Sequence, residues 1–222
     1  MASTRHAIDV SSYLVDPPLN DEPATIDLPE LFGNNHPVEL EIGSGKGLFL
    51  FNAARAAPGH NFLGIELSRK YARLAAERLT ARQVPNAKVW RGDARRVMAG
   101  LIPLTSLRAV HVYFPDPWWK KRHKKRRVFS DQLVAQIARL LEPEGALHVA
   151  SDVEEYFRLI QQLIVAEPRF KEQTVPELPM PQHSLDYLTN FERKYRLEGR
   201  QIFRARYRLE SPETTETPPH LP

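Results

Sequence analysis

Acids and glycines recur in this chain just after short apolar runs, and there the side chains could do chemistry. The first such group is Glu41-Ile42-Gly43-Ser44-Gly45-Lys46-Gly47. Glycines at alternate positions let the backbone turn tightly and let a ligand come close to it. A dinucleotide fingerprint would need glycine where Leu48 stands, and a phosphate loop would need Ser or Thr where Gly47 follows Lys46. Taken alone, the glycines read equally well as a structural turn. The next two apolar runs end at Glu66 and at Gly92-Asp93. Glu66 is placed to accept hydrogen bonds from ribose hydroxyls, Asp93 to meet an adenine edge, and Glu41 to meet an ammonium group. Each acid by itself also reads as a helix cap or a solvated end. As a set they suit a ligand with a ribose, an adenine and an amino-acid end. They suit a pyrophosphate poorly, because carboxylates repel it.

A second constellation follows the fourth apolar run: Tyr113-Phe114-Pro115-Asp116-Pro117-Trp118-Trp119, then Lys-Lys-Arg-His-Lys-Lys-Arg-Arg over residues 120 to 127. Two prolines fix the backbone around Asp116 and hold its carboxylate at a strand end. Adjacent tryptophans offer faces for base stacking, and the basic run offers phosphate contacts. The bland alternatives are a helix N-cap with a first-turn proline, a packed aromatic pair and a solvated face. The charge balance weighs on this choice. Lys and Arg number 31 against 27 Asp and Glu, a net of +4, and without the seven cations of this run 24 face 27, a net of −3. The positive excess sits in one segment, as for a polyanion met at one place.

These groups need a scaffold to bring them together. Strand-like runs cover 38–42, 61–66, 87–91, 109–114, 146–151, 170–175 and 201–209, with helical segments between them at 48–57, 68–83, 95–101, 130–141 and 153–167. The last run alternates, with Phe203, Ala205, Tyr207 and Leu209 on one face. Strands alternating with helices predict an α/β fold, a seven-stranded, mainly parallel sheet with helices on both faces. Such sheets bind ligands beyond the carboxyl ends of their strands. Residues 1–37, with Pro17, Pro18, Pro23, Pro29 and Pro37, read as an irregular arm, 38–209 as the domain, and 210–222 as a disordered tail. The chain has no cysteine, which excludes disulfides, iron–sulfur clusters, thiolate zinc sites and a catalytic thiol. No uncharged apolar run approaches the roughly 18 residues of a membrane span, and Met1 to Ser12 lacks the apolar core of a signal peptide. A cytoplasmic protein without a membrane partner is expected. No histidine pair has the i, i+4 spacing of a zinc helix, so no metal is expected either.

From Val38 to Leu209 the arrangement resembles the Rossmann-like class I S-adenosylmethionine-dependent methyltransferases. The loop 41–47 is similar to their first motif and Glu66 to their ribose-binding acid. Phe114-Pro115-Asp116-Pro117-Trp118 with Lys120, Arg122, His123, Lys125 and Arg126 resembles the hallmark of bacterial tRNA (guanine-N7)-methyltransferases, the TrmB family. Ser151-Asp152 and the stretch Thr189-Asn190-Phe191-Glu192-Arg193-Lys194-Tyr195 with Gly199 and Ile202 resemble that family's further motifs. The resemblance implies methyl transfer from S-adenosylmethionine to N7 of a tRNA guanine, in the variable loop, with no DNA partner. It implies a cofactor pocket of Glu41, Gly43, Gly45, Gly47, Glu66, Asp93 and Asp116, with Asp116 also catalytic. It implies substrate contacts by Lys120, Asp152, Thr189, Asn190, Phe191 and Glu192, and RNA contacts by Arg122, His123, Lys124, Lys125, Arg126 and Arg127. Two other readings stand beside it: methylation of another RNA base, since Asp-Pro-aromatic is also similar to the amino-group methylase motif, and a non-catalytic RNA-binding module. Oligomeric state is not legible.

Overall fold

The continuous apolar runs become the centre of a single sheet in the computed structural model, which describes residues 8–16, 25–118, 127–176, 185 and 187–211. Its strands are β1 (Leu14–Val15), β2 (Val38–Ile42), β3 (Asn61–Glu66), β4 (Ala87–Arg91), β5 (Leu107–Tyr113), β6 (Leu141–Ser151), β7 (Phe170–Gln173) and β8 (Phe203–Leu209). The helices are α1 (Leu28–Phe32), α2 (Leu48–Ala56), α3 (Arg69–Ala81), α4 (Ala94–Gly100), α5 (Asp131–Leu140), α6 (Glu154–Val165) and α7 (Asn190–Leu197). The sheet order is β1-β4-β3-β2-β5-β6-β8-β7. Strands β1 to β6 pair in parallel, and β8 runs antiparallel to both β6 and β7. The mainly parallel α/β architecture is as expected, but there are eight strands rather than seven. The additional strand lies in the segment read as irregular, where Leu14 and Val15 pair with Val89 and Trp90. Two residues carry no readable period. In the same segment Asp27 caps α1 by accepting from the backbone of Glu30.

Each face of the sheet carries its own apolar layer. Leu40, Ile42, Leu63, Ile65, Val110, Val112, Leu147 and Val149 pack against the buried stripes of α5 (Leu133, Val134, Ile137) and α6 (Tyr156, Phe157, Ile160, Ile164). On the other face Phe62, Ala87 and Val89 meet α2 (Leu48 to Phe51) and α3 (Ala72, Ala75, Leu79). A fully buried aliphatic or Phe side chain contributes about 1.5–3 kcal/mol, enough for these two layers to fix the strand register.

That register brings the carboxyl ends of the parallel strands to one edge. Gly43 N donates to Ile65 O at 2.8 Å, Gly92 N to Glu66 O at 3.0 Å and Phe114 N to Ala150 O at 2.8 Å, so the turns after β2 to β6 are stitched side by side. Glu66 ends β3 and Asp116 follows β5, the two strands flanking β2.

Candidate active site

The loop after β2 is held in shape by backbone conformations that favour glycine. Gly45 has φ +54° and Gly47 φ +67°, the left-handed region. A Cβ on Gly47 would lie 2.8 Å from the Cβ of Ala75, whereas one on Gly45 would meet nothing within 4 Å. Gly47 therefore lets α3 dock on the loop, while Gly45, like Gly43, leaves open space over it. Glu66 ties the two together, with Oε2 accepting from Gly45 N and Oε1 from Ser68 N, each at 2.8 Å. Ser68 in turn caps α3.

Beneath this loop Glu41 is 4% exposed, and its Oε2 has no hydrogen-bond partner among the described residues. Burial, and then the negative charge of Glu66, pushes the Glu41 carboxyl well above the usual carboxylate range. A buried, partnerless carboxyl oxygen is a place for a cation or a donor. Ser44 Oγ is likewise buried and partnerless. Asp93 is differently engaged. It caps α4, accepting from Arg95 N at 3.0 Å, and it pairs with the Arg95 guanidinium at 3.0 Å. Burial raises its pKa, but the bonds and charge of Arg95 outweigh that and lower it overall. Beside it, Asp16 from the N-terminal segment forms an ion pair with Arg91 at the end of β4.

The turn after β5 is strained. Phe114 and Trp118 take φ +52° and +42°, conformations that cost a non-glycine residue about 1–2 kcal/mol each. Asp116, between its prolines, is exposed. Helix α7 covers this turn: Phe114 lies 5.6 Å from the ring of Tyr195 and 6.5 Å from that of Phe191. Burial, then the charge of Asp152 and further that of Asp116, pushes the Tyr195 phenol up, so both carboxylates lie near it. Asp152 pairs with Arg200 at 2.8 Å, and that guanidinium sits 4.6 Å from the Tyr195 ring centre.

Thr189 caps α7 by accepting from Glu192 N at 3.0 Å. Glu192 is buried, with Oε1 accepting from Arg204 at 2.6 Å and forming an ion pair with Arg196 at 2.8 Å. Both residues are thus spent first on holding α7 against β8. Phe191 is 49% exposed, and Asn190 lines a cleft with Lys46 and Arg193. Tyr113 joins the two halves of the site: its phenol is pushed up by burial first, then by Glu41 and Glu39, and it also feels Arg204 and Glu192.

Glu41, Gly43, Gly45, Gly47 and Glu66 therefore gather around one turn, and Asp116, Asp152 and residues 189–192 around the next. Asp93 stands two strands from Glu41, on the order of 10 Å away at the usual strand spacing. Trp119 and the expected contacts Lys120, Arg122, His123, Lys124, Lys125 and Arg126 lie outside the described residues. Arg127 is described: its Nε donates to Pro117 O at 2.7 Å and its guanidinium lies 5.4 Å from the Tyr156 ring centre. Sequence reasoning quoted Tyr113 and Tyr195 within its motifs without giving them a role, and it missed Arg200 and Arg204. Arginines at alternate positions 204, 206 and 208 on β8 were the available signal for one polar sheet face.

That polar face continues away from the site. Glu39 accepts His60 Nδ1 and His111 Nε2, each at 2.7 Å, and His111 Nδ1 lies 2.9 Å from the Tyr113 hydroxyl. His148 stacks on His111 at 4.7 Å and is pushed down to about 3 by burial, then by His111 and Arg206. Among the described residues no group of three or more His, Cys, Asp or Glu could hold a metal ion.

Comparison with known proteins adds an independent line. A family model described as "Putative methyltransferase" matches residues 35–205. A tRNA (guanine-N(7)-)-methyltransferase of Rhodopirellula baltica is 45% identical over 92% of this chain and 77% of its own length. One of Geobacter metallireducens is 33% identical over 90% of this chain and 95% of its own. The crystal structure of the 16S rRNA methyltransferase KamB superimposes with a TM-score of 0.61 at 16% identity, covering 85% of this chain and 96% of that one. At that identity the likeness concerns the fold alone.

Proposed function

The chain belongs to the tRNA (guanine-N7)-methyltransferase family, and from that premise we propose which of its residues do the work. The protein transfers a methyl group from S-adenosylmethionine to N7 of a guanine in tRNA. Our reading is that the cofactor rests on Glu41, Gly43, Gly45, Gly47, Glu66 and Asp93, with Asp116 closing its far side. The observation that carries this is Glu41: a buried carboxyl oxygen without a partner, set below an open glycine turn and next to a second acid. Such a pocket fits a ligand carrying an ammonium, a sulfonium and ribose hydroxyls. When bound, S-adenosylmethionine supplies a methyl carbon on a sulfonium, which leaves as a neutral thioether.

The residues' own part is binding, orientation and charge. Guanine N7 has an in-plane lone pair and no proton, so no general base is required. Alignment of the reacting atoms carries most of the rate. Asp116 is fixed by Pro115 and Pro117 at the mouth of the site, where its carboxylate meets the guanine that becomes cationic. Asp152 sits on the same side. Asn190 and Phe191, at the start of α7, offer the base an amide and an exposed ring, and Trp118 adds a stacking face. Thr189 and Glu192 act by anchoring that helix. We assign Lys120 to the substrate, the run 122–127 to the tRNA backbone, the variable loop as the methylated region and the cytoplasm as the site of action. We also take 38–209 as the catalytic domain, with the arm and the tail as appendages. The test is Asp116→Ala: kcat should fall by about 100-fold or more, a loss of about 3 kcal/mol in the transition state, while Kd for cofactor and tRNA shifts less than about fivefold. Near-parental turnover would remove Asp116 from the chemistry.

A further inference from the structure

The basic run 120–127 is not the chain's only group of cations. On the far side of the glycine loop a cleft of about 400 Å³ is lined by Lys46, Arg78, Arg82, Asn190 and Arg193, with Glu77 the one acid among the described residues that line it. Arg78 lies in the last turn of α3 and Arg82 is its C-cap, so both charges gather at the end of this helix. Close contact of Gly47 with Ala75 holds that face against the loop, and Arg78 Nε donates to Lys46 O at 2.9 Å. Arg193 enters from the first turn of α7. Glu77 is engaged by Arg73 at 2.9 Å. None of the four cations lies within 4.0 Å of a carboxylate among the described residues. Burial, then the charges of Arg82 and Arg193, depresses the Arg78 pKa, as expected when like charges are gathered.

Gathering like charges without counter-charges costs stability, and a protein gains from it only when an anion is met there. A concave cationic wall also concentrates the field. Guanidiniums, with their planar fork of donors, match phosphate oxygens. The cleft belongs to α3, the loop after β2 and α7, the helix that covers the turn after β5. The cleft thus borders the reaction site.

We propose that the Lys46–Arg78–Arg82–Arg193 cleft is a second phosphate-binding surface, which grips the tRNA backbone beside the site. The proposal rests on the tRNA-methylating reading and deepens it. Arg82→Gln/Arg193→Gln is the discriminating variant, because neither side chain hydrogen-bonds to the glycine loop. Its tRNA affinity, followed by anisotropy, should depend less on salt: removing two contacts makes a fourfold rise in salt cost about 7- to 12-fold less affinity than it costs the parent. KM for tRNA should rise while the calorimetric Kd for S-adenosylmethionine holds. Arg82→Lys/Arg193→Lys, which keeps the charge, should keep the parental salt slope. A parental slope in the Gln variant overturns the proposal. So does a weakened cofactor Kd with an unchanged slope, which would make the anion the cofactor's own carboxylate. A parent that methylates no tRNA would instead sink the underlying reading.

Discussion

Glu41→Gln should make the protein more stable and less able to bind its cofactor. In the folded chain burial and the nearby Glu66 raise the Glu41 pKa above its ordinary value of 4.5. A raised pKa means that the folded state holds the proton more tightly than the unfolded state does. The stabilisation from that proton is complete below the unfolded value and is lost as pH rises through the folded value. Glutamine keeps the shape and cannot titrate. As pH rises above 4.5 the variant should therefore become the more stable of the two, with the higher Tm, and the gap should close toward pH 4.5. Cofactor affinity should fall at least about tenfold, the equivalent of 1.4 kcal/mol. Titration calorimetry in buffers of differing ionisation enthalpy gives a further reading. At a pH where burial keeps the free carboxyl protonated, the parent should release a proton on binding S-adenosylmethionine, as Glu41 ionises against the cation, and the variant should not. Equal melting temperatures across pH 5–8, or an unchanged cofactor Kd, would refute the reasoning.

Other consequences follow from the same geometry. Burial works against the charged form of Glu39, but the bonds and charges of His111 and His60 outweigh it and hold the carboxyl at about 2, below its ordinary 4.5. Its stabilisation, on the order of 3 kcal/mol, is present above pH 4.5 and is lost as pH falls through about 2. Urea midpoints should show this acid loss in the parent and not in Glu39→Gln. Gly47→Ala combines a left-handed backbone with a contact against Ala75, for a cost of about 2–5 kcal/mol, readable as a lower urea midpoint. Gly45→Ala, facing open space, should cost only about 1–2 kcal/mol and lose cofactor binding instead. Glu192→Ala strands Arg196 and Arg204 and should destabilise the fold by about 3–5 kcal/mol; a thermal melt within a degree of the parent would contradict the ion-pair role.

The strands β2, β3 and β4 were legible to the residue, because each is a short run of strand-forming residues bounded by turn signals. Helix α7 was legible only as a motif, since its buried residue is Glu192 and no apolar stripe marks it. The partner that makes this burial tolerable, Arg204, lies on an antiparallel strand and is set by tertiary packing. Strand β1 escaped notice because backbone pairing at a sheet edge leaves little trace in two residues. At the site, Glu41 and Glu66 could be read from their places after successive strands. Asp93 was read there too, as a cofactor contact or a helix cap, and Arg95 two residues on ties it to the cap. The cationic cleft was invisible, because Lys46, Arg78, Arg82 and Arg193 come from three elements that only the fold brings together.

The most direct test of the account is transfer of a labelled methyl group from S-adenosylmethionine to unmodified tRNA, followed by borohydride and aniline scission. The account predicts one label per tRNA, with strand cleavage at a variable-loop guanosine. Label that resists scission and is recovered as N6-methyladenine, or no transfer at all from a protein that binds both ligands, would contradict it.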